Sequence, residues 1–312
     1  MKIVLVGAGA MGCLLAALLR RAGLDICLLA RNDASVAAIS RHGIALENST
    51  GTHAVDGIFI TRSAASIGYA DYVIFFVKAF DTEQAAASAA ACVGPHTVIV
   101  TLQNGIGNVE LLEEYFPEQP LLAGTTAHGA TLLGPGHVRH AGCGETAIAP
   151  LRPQERTCAI ELINAFETAG ICTGLVDDMQ ALLWGKLLVN IGINPLAAIL
   201  NINNGRIMEL EHIRRIMCQA VQEGVAVAAA KGISFEPDEQ VARVESVCRA
   251  TQDNLCSMLQ DLRAGRGTEI DYMNGAVVRE ALALSVAVPV NSMLTDLVRA
   301  RQMLAAGTPA GH

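Results

Sequence analysis

Apolar positions along this chain follow two different periods. Up to about residue 177, short runs of strand length alternate with helical patterns. Beyond it, strand-like runs vanish and long helical patterns take over. Residues 2–6 (K-I-V-L-V) read as a buried parallel strand, 13–21 as a helix ended by Gly23, and 25–30 as a second strand. Residues 35–42 read as a helix. Residues 43–62 carry the alternation of a hairpin, with I-A-L-E before Gly51 and G-I-F-I-T after it. Further strands are predicted at 72–77, at 97–102, and at 121–130 where a turn is included, with a helix following Lys78 through Ala91. Residues 138–140 and 145–149 read as antiparallel additions, 153–169 as a helix and 171–176 as the last strand. The expected organisation is an α/β domain over residues 1–177 and a helical domain over 178–312.

The second domain opens on the most informative stretch. Residues 182–195 read L-L-W-G-K-L-L-V-N-I-G-I-N-P. Lys186, Asn190 and Asn194 are four apart, and each such step advances about 40° around a helix, so their heads form one stripe. Apolar residues occupy the other faces, so the lysine loses hydration. Pro195 is expected to break or bend the helix and to deprive the Ile191 carbonyl of its usual donor. Asn203-Asn204-Gly205 reads as a polar loop, followed by a helix over 211–231 closed by Gly232. A long helix is expected from Pro237 to about Ala264, with Asn254 and Ser257 on one face. Thr268 is a predicted N-cap with Glu269 and Asp271 in the first turn. Pro289 starts a last helix to Ala305, and the tail T-P-A-G-H is expected to be disordered.

Composition narrows the function. A net charge of −8 with no Lys/Arg block argues against nucleic-acid binding. Nine cysteines without a C-x-x-C pair read as reduced, buried thiols of a cytoplasmic protein, with no metal site. Gly7, Gly9 and Gly12 interrupt the first apolar run, which speaks against a secretory signal. Later apolar runs are expected to fall short of membrane-spanning length, so no membrane partner is expected. Apolar helices would allow a homodimer.

Chemistry concentrates at strand ends. Gly7-Ala8-Gly9-Ala10-Met11-Gly12 follows the first strand and opens a helix, which is the dinucleotide-binding pattern. Gly7 allows the turn, Gly9 admits a pyrophosphate, and Gly12 lets helix and strand pack closely. Arg31 ends the second strand where an acid would grip the ribose of NAD, so a 2′-phosphate and NADP(H) are expected. Lys78 and Asn104 end later strands on the same edge, where open α/β sheets collect ligands. His128 and His140 are candidate acids, but with no visible partner they read as structural.

These residues resemble the ketopantoate reductase (2-dehydropantoate 2-reductase) family over nearly the whole chain. The carriers are G-A-G-A-M-G at the start, Q-N-G-I-G at 103–107, G-T-T-A-H-G-A at 124–130, W-G-K-L-L-V-N-I-G-I-N-P at 184–195, N-L-C-S-M-L-Q-D at 254–261 and R-G-T-E-I-D-Y-M-N-G at 266–275. The resemblance implies a Rossmann domain followed by an all-helical domain like that of 6-phosphogluconate dehydrogenase, with the site in the cleft between them. It implies Lys186 as proton donor, and Asn190, Asn194 and Asn204 as substrate-pocket residues. Asn104 would touch cofactor and substrate, and Ser257 would bind the substrate carboxylate beside Asn254. Glu269 would lie near the nicotinamide ribose and the lysine, and Arg31, Lys78 and Ala130 would be cofactor contacts.

The implied activity is NADPH-dependent reduction of 2-dehydropantoate to (R)-pantoate in pantothenate biosynthesis, a reaction that needs no metal. Burial would push Lys186 toward neutrality, and Glu269 would favour its charged form. Another branched 2-oxo acid as substrate, or a non-catalytic NADPH sensor, are the competing readings.

Overall fold

The computed structural model describes residues 1–307. Two compact units emerge, one of residues 1–103 and 108–182, the other of 104–107 and 183 onward.

In the first unit the opening apolar run forms strand β1 (Lys2–Val6), and the glycine-rich turn leads into helix α1 (Ala10–Arg21). Then come β2 (Asp25–Leu29), α2 (Asp33–His42), β3 (Ile44–Asn48), β4 (Gly51–Val55) and β5 (Phe59–Thr61). Asn32 caps α2 by accepting from the backbone N–H groups of Ala34 and Ser35. The chain continues through β6 (Tyr72–Phe75), α3 (Thr82–Ala89), β7 (Val98–Thr101), α4 (Asn108–Tyr115) and β8 (Leu121–Thr126). It closes with β9 (Gly129–Gly134), β10 (His137–Gly142), β11 (Thr146–Pro150), α5 (Arg156–Thr168) and β12 (Thr173–Leu175).

Eight strands form one sheet in the order β12-β11-β8-β7-β6-β1-β2-β5. All neighbours run parallel except β11 against β8. Its centre is apolar on both faces: Ile3, Val4, Leu5, Val73, Ile74, Ile99 and Val100 are fully buried, which is why these strands read as continuous apolar runs. Leu14, Leu15 and Leu19 of α1 pack into the same core. Burying each such side chain is worth about 1.5–3 kcal/mol.

A second sheet, β4-β3-β10-β9, departs from the sequence reading. I-A-L-E pairs with T-H-A-V across the turn at residues 49–50. The run G-I-F-I-T supplies β5, which joins the large sheet beside β2 instead. The predicted strand 121–130 is two strands in different sheets, and Ala130 lies in β9, not in a turn.

The helices downstream are α6 (Met179–Leu200), α7 (Arg206–Glu209), α8 (Glu211–Ala230), α9 (Pro237–Ala250), α10 (Ser257–Arg263), α11 (Asn274–Leu284) and α12 (Pro289–Gly307). Asp178 starts α6, its carboxylate accepting from the Ala181 N–H at 2.9 Å. Gly192 of α6 faces Val221 and Val244, and Gly224 of α8 faces Ile191 and Leu188, so each glycine makes room for close helix packing.

Three expectations fail here. Pro195 does not end α6, which runs on to Leu200. That helix is also long and apolar enough to cross a membrane, contrary to the sequence reading, but 78% of its most apolar window is buried inside the fold. The long helix expected from Pro237 is two helices, with residues 251–256 irregular, so Asn254 and Ser257 do not share a helical face. The tail 308–312 lies outside the described residues.

Candidate active site

The first unit carries a glycine-rich loop between β1 and α1. Gly7 has φ +114°, a conformation that side chains rarely adopt, and its N–H donates to the Leu29 carbonyl at 2.9 Å. A Cβ at Gly12 would run into the Gly7 carbonyl oxygen, whereas one at Gly9 would meet nothing within 4 Å. The three glycines thus divide the labour as the motif predicts: turn, open approach and close packing. The free space at Gly9, beside the N-terminus of α1, fits a pyrophosphate. Ala8, Ala10 and Met11 complete the loop.

Arg31 stands exposed just beyond β2. Its Nη1 and Nη2 donate to the two carboxylate oxygens of Asp81, at 2.8 Å each. Asp81 thereby orients the guanidinium, a relationship the sequence did not reveal. Lys78 is half-buried after β6, at the start of a short 3₁₀ turn. Ala130 of β9 packs against the core cluster that includes α1.

The second unit carries the polar stripe. Lys186 is largely buried, with Trp184, Leu187 and Leu188 enclosed around it in sequence. Burial holds its ammonium below the ordinary lysine range, and the Arg243 guanidinium pushes the same way. Arg243, on α9, also lies against Gly185. Sequence reading missed it; its helix was visible, but the pairing of α9 with α6 was not.

Asn190 and Asn194 are buried on the same helix. The Asn190 Nδ2 has no hydrogen-bond partner. A buried, unsatisfied amide costs about 1–3 kcal/mol, so its retention points to a ligand group. Asn194 Nδ2 donates to the Met273 sulfur at 3.5 Å, and the Asn194 carbonyl accepts from Cys256 Sγ at 3.6 Å.

Asn204 is fixed by the irregular segment after α9. Its N–H donates to the Asn254 carbonyl at 3.1 Å and its Nδ2 to the Thr251 hydroxyl at 2.9 Å, while its Oδ1 lacks a partner. Asn254 therefore contributes backbone here, and its side chain is exposed. Ser257 is exposed at the start of α10, while Cys256 caps that helix through Sγ.

Glu269 is buried. Thr268 does not begin a regular helix; it precedes a 3₁₀ turn, and its N–H donates to Gln302. Asn104 belongs with this unit. Its neighbour Gly105 has φ +83° and a Cβ there would collide with the Tyr272 carbonyl, while Ile106 N–H donates to that same carbonyl at 3.1 Å.

His128 and His140 correct a further expectation. They are partners: His128 Nδ1 lies 3.0 Å from His140 Nε2. Burial and then the facing His140 hold His128 below the ordinary histidine range; burial also lowers His140, against a hydrogen bond to the Gly142 backbone. All nine cysteines are free thiols, but Cys143 and Cys172 are exposed, not buried.

A largely parallel sheet with a glycine-rich turn at the N-terminus of its first helix, followed by a helical C-terminal domain, is the architecture of a nicotinamide-dependent oxidoreductase. Family models described as ketopantoate reductase PanE/ApbA and ketopantoate reductase PanE/ApbA C terminal match residues 3–153 and 178–302, and the chain belongs to that family. It is 37% identical to a 2-dehydropantoate 2-reductase of Halobacterium salinarum, over 97% of this chain and 99% of the relative. A PanE/ApbA family ketopantoate reductase from Ralstonia eutropha matches in structure with a TM-score of 0.89 at 32% identity, covering 98% of this chain and 99% of that one. A D-mandelate dehydrogenase solved with NADH and anilino(oxo)acetate matches with a TM-score of 0.92 at 28% identity, with the same coverage. The resemblance read from the sequence, and the fold it implied, are borne out.

Proposed function

We propose that this chain reduces 2-dehydropantoate to (R)-pantoate with NADPH, as a step of pantothenate biosynthesis. The observation that carries the reading is the half-buried Lys186 on one stripe with the buried Asn190 and Asn194, where Asn190 keeps an unpartnered amide. Gly7, Ala8, Gly9, Ala10, Met11 and Gly12 hold the pyrophosphate, Arg31 the 2′-phosphate, and Lys78, Asn104, Ala130 and Glu269 complete the cofactor contacts. NADPH, when bound, supplies the hydride that attacks the C2 ketone. Lys186 stabilises the negative charge that grows on the carbonyl oxygen and gives it a proton, a contribution of about 10²- to 10⁴-fold. Asn190, Asn194 and Asn204 line the substrate pocket and orient the substrate's polar groups, with Ser257 on the carboxylate and Asn254 beside it. These neutral groups add no charge that would compete with the ammonium.

A domain boundary at 177, cytoplasmic action and a homodimer belong to the same proposal. The charge of −8 and the free thiols support a cytoplasmic enzyme that acts on small molecules, without nucleic-acid or membrane partners.

The likeness to a D-mandelate dehydrogenase favours a second reading, in which the substrate is an aromatic 2-oxo acid and the cofactor NADH. NADPH and NADH oxidation, measured with 2-dehydropantoate, branched 2-oxo acids and phenylglyoxylate, separates the two. The proposal expects rapid turnover of 2-dehydropantoate with NADPH, lost in Lys186→Ala with NADPH binding intact. In Arg31→Ala the NADPH KM should rise by about 10-fold or more, the value of a lost hydrogen bond to a charged group, while NADH kinetics hold. Preferential turnover of phenylglyoxylate would install the second reading; cofactor binding without turnover of any acid would indicate a sensor.

A further inference from the structure

Away from the residues assigned above, one cluster brings three metal-ligating atoms together. His128 lies in the turn between β8 and β9, His140 on β10, and Cys143 just past the end of β10. Besides the 3.0 Å between the two ring nitrogens, Cys143 Sγ lies 3.8 Å from His140 Nε2, and all three ligand atoms fall within 4.8 Å of one another. Zinc bonds of about 2.0–2.1 Å to nitrogen and about 2.3 Å to sulfur separate tetrahedral donors by about 3.3 Å and about 3.6 Å respectively. The His128–His140 and His140–Cys143 spacings need only a few tenths of an ångström of adjustment, and the His128–Cys143 pair, within 4.8 Å, needs at most about 1.2 Å.

The backbone is built to hold this arrangement. Residues three apart on a regular strand point to opposite faces. Between His140 and Gly142 the pairing of β10 with β9 shifts register, and such a shift turns later side chains back toward the first. Ala127 N–H donates to the Glu145 carbonyl at 2.9 Å, and a Cβ at Gly144 would collide with Ala127, so the Cys143 segment sits directly against the His128 turn. His128 is itself only 8% exposed, and its outer nitrogen, Nε2, has no partner.

We infer that His128, His140 and Cys143 form a zinc(II) site, with the fourth position open to water. Binding involves no redox change. The Cys143 S–H bond breaks, its proton passes to water, and sulfur binds as thiolate. The ring proton shared between the two histidines moves to the outer nitrogen of its own ring, leaving both inner lone pairs for the metal. One proton is released per zinc. The ion would tie the β8–β9 turn to the end of β10.

The test uses the full chain, stripped with a chelator and then titrated with zinc against a chromophoric competitor. Wild type, Cys143→Ser and His140→Gln are compared, and cobalt(II) serves as spectroscopic probe. The expected result is one tight equivalent in wild type, weakened at least about tenfold in each variant, the low end for losing even an outer-shell partner. A thiolate-to-cobalt charge-transfer band should be present in wild type and absent in Cys143→Ser. Equal affinity in all three proteins, or no tight equivalent in wild type, overturns the site. Cys143 is exposed, so its serine variant should fold and can decide alone if His140→Gln does not.

Discussion

Asn274 Nδ2 donates at 3.1 Å to the Ile191 carbonyl, the acceptor that Pro195 cannot serve. In an uninterrupted helix the N–H of residue 195 would fill that role. The amide of a fully buried asparagine on α11 takes its place, and α6 continues through the proline. The second Asn274 N–H goes to Asn291 Oδ1 at 3.0 Å, and Asn291 Nδ2 reaches the Ala220 carbonyl and Glu223. Glu223 in turn accepts from the backbone N–H groups of Val290 and Asn291 at the start of α12. One proline is thus compensated by a polar chain that joins α6, α8, α11 and α12.

Asn274→Ala should destabilise the fold by about 1–3 kcal/mol, because it orphans a buried carbonyl. Pro195→Ala restores the missing N–H, so the same substitution should cost less in that background. Urea unfolding of the four proteins gives the coupling energy, expected at about 0.5 kcal/mol or more. A coupling of zero would mean the two residues act independently.

Arg243 should set the alkaline limit of catalysis. Lys186 donates its proton only while charged, so kcat/KM should fall as pH rises through its lowered pKa. Arg243→Gln removes a repelling charge, raises that pKa and moves the falling limb to higher pH; Arg243→Lys should leave it near the wild-type position. An unmoved limb in the glutamine variant would rule out the charge effect. Linkage gives a second readout. The folded state binds the Lys186 proton less readily than the unfolded chain, so stability rises with pH between the lowered value and about 10.5, and Lys186→Met should flatten that rise.

Gly9 and Gly12 should fail in opposite ways. Gly12→Ala forces a Cβ into the Gly7 carbonyl and should cost about 1–3 kcal/mol of stability, typical of overpacking. Gly9→Ala meets open space, so its melting temperature should match wild type while NADPH affinity, read by fluorescence titration, falls. A Gly9→Ala protein that binds NADPH normally would remove the loop from the cofactor site.

The parallel sheet and the stripe on α6 were legible because each rests on a local period: continuous apolar runs for buried strands, and steps of four for one helical face. Arg243, Asp81 and Asn274 were not, because each acts on a residue far away in sequence. The proline was read correctly as removing a donor, and the replacement donor lay about eighty residues on. The strand at 121–130 was misread because both halves carry β-forming residues, and only pairing reveals that they enter different sheets. His128 and His140 looked isolated for the same reason: β9 and β10 bring them together.

The short segment Asn104–Gly107 belongs to the same compact unit as the chain from Leu183 onward. Its Ile106 bonds the Tyr272 carbonyl, and Gly105 is the residue that lets the backbones meet. The helical unit is therefore discontinuous in sequence. A gene fragment starting at residue 183 would omit one of its pieces and leave the Tyr272 carbonyl without its donor. During synthesis this loop emerges long before its partner, so the bond can close only after residue 272 has left the ribosome.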